Sequence, residues 1–203
     1  MRCVTLIIAV ISILLPGCGR GGSDAIVPVK SAEFDSAMIA KAIFTTCDKN
    51  NDSLIDLREA AVSPGLALAF ASIDTDKSKT LSATELISRL DMYKAAVSSS
   101  VPVAVYLTLD DVPLVGAKVT LEPEPFFANV LKTATGESDA GGRCGLWSVD
   151  GKNALGVSAG LYRIKIEKDN LPAKYNTATI LGTEVLTDGR NAENGVYLKL
   201  TSH

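Results

Sequence analysis

Between residues 48 and 59 the chain reads DKNNDSLIDLRE, with acidic and amide side chains at alternate positions. Counting Asp48 as position one, Asn50, Asp52 and Asp56 fall at three, five and nine, and Glu59 falls at twelve. All are oxygen donors, and a hard cation takes six to eight oxygens at once. A tightly wound loop turns such alternate side chains inward, and the main-chain carbonyl of Leu54 at position seven adds another donor. Glu59, already on the following helix, closes the shell with both oxygens. Taken once, the spacing is also compatible with a solvated turn, because Asp, Asn and Ser crowd ordinary turns.

The pattern returns 26 residues later, where Asp74, Asp76, Ser78, Thr80, Ser82 and Glu85 occupy positions one, three, five, seven, nine and twelve. The apolar frame returns at the same offset: Phe44 with Phe70, Cys47 with Ile73, and Ile55 with Leu81. An internal repeat in donors and frame together argues against a chance turn. Both stretches resemble the EF-hand calcium loop, and their short separation resembles compact bacterial EF-hand pairs. The resemblance implies Ca2+ as the bound ion and a short antiparallel bridge between Ile55 and Leu81 at position eight. It also implies glycine at position six, where this chain has Ser53 and Lys79. A left-handed non-glycine residue costs on the order of 1 kcal/mol, so both sites are expected to be weakened. Loop one keeps four carboxylates, whereas loop two keeps three and carries Lys77 and Lys79, so loop one is expected to bind more tightly.

Helices must hold these loops. Ser31 is placed to cap the first, with Glu33 in its first turn and Phe34, Met38, Ile39, Ala42 and Ile43 as its apolar stripe. DLREAAV leaves loop one, Ser63, Pro64 and Gly65 break that helix, and Pro64 suits the first position of the next. LALAFASI enters loop two, and SATELISRLDMYKAAV leaves it with Leu86, Leu90 and Met92 or Tyr93 facing inward.

After residue 97 the helical spacing gives way to short alternating runs: VAVYLTL, AKVTLEP, RCGLWSV, GLYRIKIE, TATILGTEVL and GVYLKL. Strands at this spacing favour a sandwich, with Val103, Val105, Leu107, Val119, Leu121, Tyr162, Ile164 and Ile166 inward. Residues 107–124 (LTLDDVPLVGAKVTLEPE), 135–146 (TGESDAGGRCGL), 159–166 (AGLYRIKI) and 171–176 (LPAKYN) resemble the carboxypeptidase regulatory-like, transthyretin-like domains. That resemblance implies a fold but no catalytic residues. DDV stands where such a hairpin usually has Asp-Gly or Asn-Gly. Trp147 reads as core or partly buried packing ahead of a ligand-lining residue, and Tyr175 either as a loop plug or as a partner-recognition residue, while Phe126 and Phe127, as strand neighbours, would point to opposite faces and leave one exposed.

At the amino end, VTLIIAVISILL is apolar but short for a bilayer span and reads as an export signal. LPGC, residues 15–18, resembles the bacterial lipobox, which implies cleavage after residue 17 and lipidation of Cys18. The Gly-rich residues that follow suit a tether. Cys47 and Cys144 are left either to pair as a disulfide or to pack as small buried hydrophobes. The formal charge is −3 with no basic run, which argues against nucleic acid as a partner. The only histidine is His203, so neither a nucleophile–histidine pair nor a zinc site has its residues, and no glycine-rich loop opens a helix as phosphate binding requires.

The chain is thus read as multidomain α+β: signal peptide 1–17, tether 18–30, EF-hand pair 31–97, and an antiparallel transthyretin-like (prealbumin-like) β-sandwich 98–203. The expected function is a non-enzymatic Ca2+-binding lipoprotein, exported and lipid-anchored in the bacterial cell envelope, with calcium stabilising a structural or binding module. Its expected partners are calcium, the membrane through the anchor, and an envelope protein or glycan. The alternative is a carbohydrate- or peptide-binding adhesion protein that uses the sandwich surface, with calcium purely structural.

Overall fold

The computed structural model describes residues 33–127, 130–148, 156–186 and 195–203. The expected signal peptide and tether, Cys18 and Ser31 lie outside the described residues. The first helix, α1 (Ser36–Cys47), begins later than the sequence suggests. Asp35, in extended backbone, accepts from the Ala37 and Met38 amides at 3.0 Å and so satisfies two of the otherwise orphaned donors of the first turn. Glu33 precedes this cap. Ile39, Ala40, Ile43 and Cys47 form the buried stripe, while Met38 points to solvent.

A two-residue strand β1 (Ile55–Asp56) leads into the single turn α2 (Leu57–Ala60), which Asp56 and Glu59 close with a reciprocal capping box. Ser63 caps α3 (Pro64–Ile73), whose first position is Pro64, where the missing N–H costs nothing. Strand β2 (Thr80–Leu81) precedes α4 (Ala83–Ala96), again opened by a capping box, here from Ser82 and Glu85. Leu86, Leu90 and Tyr93 are its buried face; Met92 is exposed.

Among the described residues eleven strands follow: β3 (Ser100–Val101), β4 (Ala104–Leu109), β5 (Val112–Pro113), β6 (Lys118–Pro123), β7 (Ala134–Glu137), β8 (Arg143–Gly145), β9 (Trp147–Ser148), β10 (Val157–Ser158), β11 (Gly160–Glu167), β12 (Gly182–Val185) and β13 (Val196–Leu200). One sheet runs β12-β11-β6-β7-β9 and a second runs β13-β4-β5, with β8 also on β4; β3 and β10 pair separately. All eight strand residues expected to face inward are buried. The β4–β5 hairpin turns on Asp110 and Asp111, both left-handed at φ 50° and 64°. A two-residue turn of the I′ kind demands that conformation, and Asp tolerates it.

Between the strands of the described residues the pairing is antiparallel except for β13, which lies parallel to β4 in the register Val196↔Val105 to Leu200↔Leu109; a single parallel bridge also joins Trp147 and Gly156. This corrects the expectation of an all-antiparallel sandwich. The strand before β13, β12, belongs to the other sheet, so no hairpin imposes the antiparallel direction. The result is a mixed α+β chain with several antiparallel sheets, compatible with a sandwich.

Helices and sheets share one buried cluster within the compact unit Ser31–His203. Phe126 and Phe127 sit at its centre in a short 3-10 turn, Pro125–Phe127, and both are buried, against the expectation that one is exposed. The turn breaks strand alternation, and the helices cover the rings: Phe127 meets Phe34 at 6.0 Å and Tyr93 at 6.2 Å between centroids. Cys47 and Cys144 are buried free thiols and form no disulfide.

Candidate metal centre

The two donor-rich loops are built alike. In loop one, Asp48 accepts from the Asn51 amide at 2.7 Å and from the Ser53 amide at 3.1 Å; in loop two, Asp74 accepts from Ser78 at 3.0 Å and from Lys79 at 2.9 Å. The first aspartate therefore draws the backbone round itself. The price is local: Asn51 and Ser53 lie at φ 58° and 66°, and Lys77 and Lys79 at 61° and 68°. Positions four and six thus adopt the left-handed conformation in both loops, without glycine.

Residues beyond the turns join the loops to each other and to the following helices. Ile55 pairs with Leu81 and Asp56 with Thr80 in an antiparallel bridge, and both position-eight side chains are fully buried. Asp56 and Ser82, at position nine, serve as the N-caps of α2 and α4. The position-twelve glutamates reach back across their loops. Glu59 Oε1 accepts from the Lys49 amide at 2.9 Å and Oε2 from the Asp56 amide at 3.0 Å. Glu85 does the same with Thr75 at 2.9 Å and Ser82 at 3.0 Å.

The remaining positions differ between the loops. In loop one Asn50 is folded onto Asp52: its Oδ1 accepts from the Asp52 amide at 2.8 Å and its Nδ2 donates to Asp52 Oδ2 at 2.9 Å. Asp52 Oδ1 meanwhile accepts from the Leu54 amide at 2.8 Å. In loop two the Ser78 hydroxyl donates to the Thr80 carbonyl at 3.1 Å, and Asp74, Asp76 and Glu85 each present an oxygen within 4.8 Å of the other two. Convergence is therefore tighter in loop two, although loop one carries more carboxylates. Among the described residues, no Lys or Arg forms an ion pair with Asp48, Asp52, Asp74 or Asp76. Burial works to raise the Glu85 carboxyl, but hydrogen bonds from Ser82, Thr75 and Asp76 outweigh it and bring it down to about 2. It is an anionic donor throughout the ordinary pH range.

Elsewhere the site candidates fall out differently from their sequence readings. Trp147, read as core packing, is 54% exposed, because β9 is the edge strand of its sheet. Tyr175 is a plug, buried with its hydroxyl accepting from the Thr201 amide at 2.9 Å. His203 lies exposed against the neighbouring Ser202 hydroxyl. Sequence reasoning passed over Tyr106 and Tyr197, which stack with centroids 4.7 Å apart and planes 9° apart. Their signal was strand parity, since Tyr106 lies between the buried Val105 and Leu107 and must face away from them. No protein-family model, curated protein or solved structure matches this chain, so its chemistry rests on its own residues.

Proposed function

We propose that this is a calcium-binding, non-enzymatic protein in which an EF-hand pair braces a transthyretin-like β-sandwich, exported and lipid-anchored through Cys18 in a bacterial cell envelope. The observation that carries the reading is duplication: two loops 26 residues apart repeat the same backbone turns, and are tied together at Ile55 and Leu81. The donor set fits calcium, since every side chain at positions one, three, five, nine and twelve offers oxygen and none offers nitrogen or sulfur as a ligand. Asp48, Asn50, Asp52, Leu54, Asp56 and Glu59 would hold one ion; Asp74, Asp76, Ser78, Thr80, Ser82 and Glu85 would hold the other. Bound calcium supplies positive charge that relieves repulsion among the converging carboxylates. Exported modules work with dissociation constants of about 10⁻⁴ to 10⁻³ M, so the left-handed Ser53 and Lys79 are compatible with occupancy.

Calorimetric titration of the soluble chain with CaCl2, with MgCl2 as comparison, tests this. Calcium uptake that falls in both Glu59→Gln and Glu85→Gln is the supporting result. Absence of binding at millimolar calcium overturns the reading.

A second reading makes the sandwich surface a binding face, with calcium structural. The exposure of Trp147 favours it, whereas burial of Phe126 and Phe127 removes them from any such face.

A further inference from the structure

One outward sheet face carries an unusual set of side chains. Val105 on β4 and Cys144 on β8 are cross-strand partners and fully buried, so their neighbours along each strand face the opposite way. Across the three adjacent strands the register places Tyr197, Tyr106 and Arg143 in one row. The next row along is Ala104 opposite Gly145, and Trp147, on β9 of the other sheet, borders the same depression. The small pair leaves a depression of about 330 Å³, lined also by Arg143 and Trp147.

Gly145 is the informative residue. Glycine within a strand weakens it and commonly marks a bulge, a bend or a close approach by another group. Here its φ lies outside the left-handed region, and a Cβ built on it meets no atom within 4 Å. Among the described residues, nothing occupies the space a side chain would take there. Arg143, exposed at the rim, makes no side-chain hydrogen bond or ion pair among the described residues. Among the described residues it is a cation without a side-chain partner.

We infer that this depression is a binding subsite for an anionic polysaccharide, in which a uronate ring lies over Gly145 against Trp147 and its carboxylate pairs with Arg143. The carboxylate suits the planar donor fork of arginine. A pyranose presents a face of C–H bonds, weakly positive, which complements the negative face of an indole. Tyr197, exposed and stacked on Tyr106, stands at the far end of the neighbouring row. The proposal deepens the second reading above, that the sheet surface binds ligand, and does not depend on calcium.

The test uses the soluble chain, in calcium and in chelator, titrated with an oligoglucuronate, an uncharged oligoglucose of equal length, and polyglutamate. Trp147, the only tryptophan, reports by fluorescence, with calorimetry in parallel. Saturable binding of the oligoglucuronate is expected, at least tenfold tighter than the neutral glucan. Gly145→Leu, whose Cβ meets no atom within 4 Å, places bulk in the depression and is expected to abolish binding while leaving the melting temperature near wild type. Arg143→Gln is expected to erase the preference for charge. Binding that survives Gly145→Leu overturns the subsite. Polyglutamate binding with equal affinity and the same variant dependence overturns the glycan assignment but keeps a ligand-binding face, and silence from all three probes overturns both.

Discussion

Arg89 on α4 and Glu184 on β12, 95 residues apart in sequence, meet as a fork: Nε donates to Oε1 at 2.6 Å and Nη2 to Oε2 at 2.7 Å. Both side chains are about nine-tenths buried. The Tyr93 hydroxyl also donates to Glu184 Oε1, and the Ser72 hydroxyl donates to Oε2 at 3.2 Å, so helices α3 and α4 converge on one carboxylate of the sheet. Burial alone would favour loss of the Arg89 proton, but Glu184 outweighs it and holds the guanidinium more firmly charged than usual. Removing one partner strands a buried charge. Arg89→Ala and Glu184→Ala are each expected to cost about 3–5 kcal/mol in urea denaturation, with the double variant far short of additive. Losses under about 1 kcal/mol for both would mean that the junction is solvated.

The same junction depends on backbones in contact. A Cβ on Gly182 would lie 2.2 Å from Pro64 C and 2.3 Å from its O, both main-chain atoms at the start of α3. One residue further on, the Gly65 amide donates to Glu124 at 2.8 Å, and the fully buried Glu124 carboxylate also accepts from Arg163 Nε at 2.8 Å. Gly182→Ala forces helix and sheet apart and is expected to cost about 1–3 kcal/mol or more. Gly145→Ala, which meets nothing, is expected to stay within about 0.5 kcal/mol and serves as control. Because the halves share one core, melting followed by Trp147 fluorescence and by helical ellipticity is expected to coincide; two separated transitions would show that helices and sheets unfold independently.

Legibility in the sequence follows the range of the interaction. The loops were readable because the spacing of their acidic and amide side chains is local and repeated, and the strands β4, β6 and β11 because alternation is local too. The helix start moved from Ser31 to Asp35 because both residue types cap, and only the tertiary path selects one. Phe126 and Phe127 were misread because a 3-10 turn replaces the strand alternation. Trp147 was misread because burial depends on whether a strand is central or at an edge, which is a property of sheet order. Arg89 with Glu184, and β13 beside β4, join residues about a hundred positions apart, and no local pattern encodes either pairing.

Backbone strain at position six offers a separable prediction. Ser53 and Lys79 are held at φ 66° and 68°, where a Cβ crowds the following carbonyl. Ser53→Gly and Lys79→Gly relieve that crowding and are each expected to raise stability in chelator by roughly 0.5–1 kcal/mol, net of the extra entropy glycine loses on folding. If the loops hold calcium, each change should also tighten binding several-fold at its own loop, because the relaxed turn no longer resists the closed shell. Unchanged denaturation midpoints in both variants would mean that hydrogen bonds to Asp48 and Asp74 fully offset the strain.

Alkaline pH probes the sheet core through Cys144. Burial pushes its thiol from an ordinary 9.0 up to about 11; Arg143 works in the opposite direction, while Asp139 and Glu137 add to the rise. The unfolded chain releases this proton near pH 9, whereas the folded protein keeps it until about pH 11. Folding therefore retains a proton in that window, so the contribution is complete below pH 9 and is lost as pH rises through 11. Cys144→Ala removes it. The difference in urea midpoint between wild type and this variant is expected to be constant from pH 7 to 8.5 and to move against wild type between pH 9 and 11. Iodoacetamide at pH 8.5 should leave Cys144 unmodified in the native protein and label it in urea, since the thiolate is the nucleophile and burial suppresses it. Parallel alkaline curves with rapid native labelling would place the thiol in solvent and remove the β4–β8 pairing that buries it.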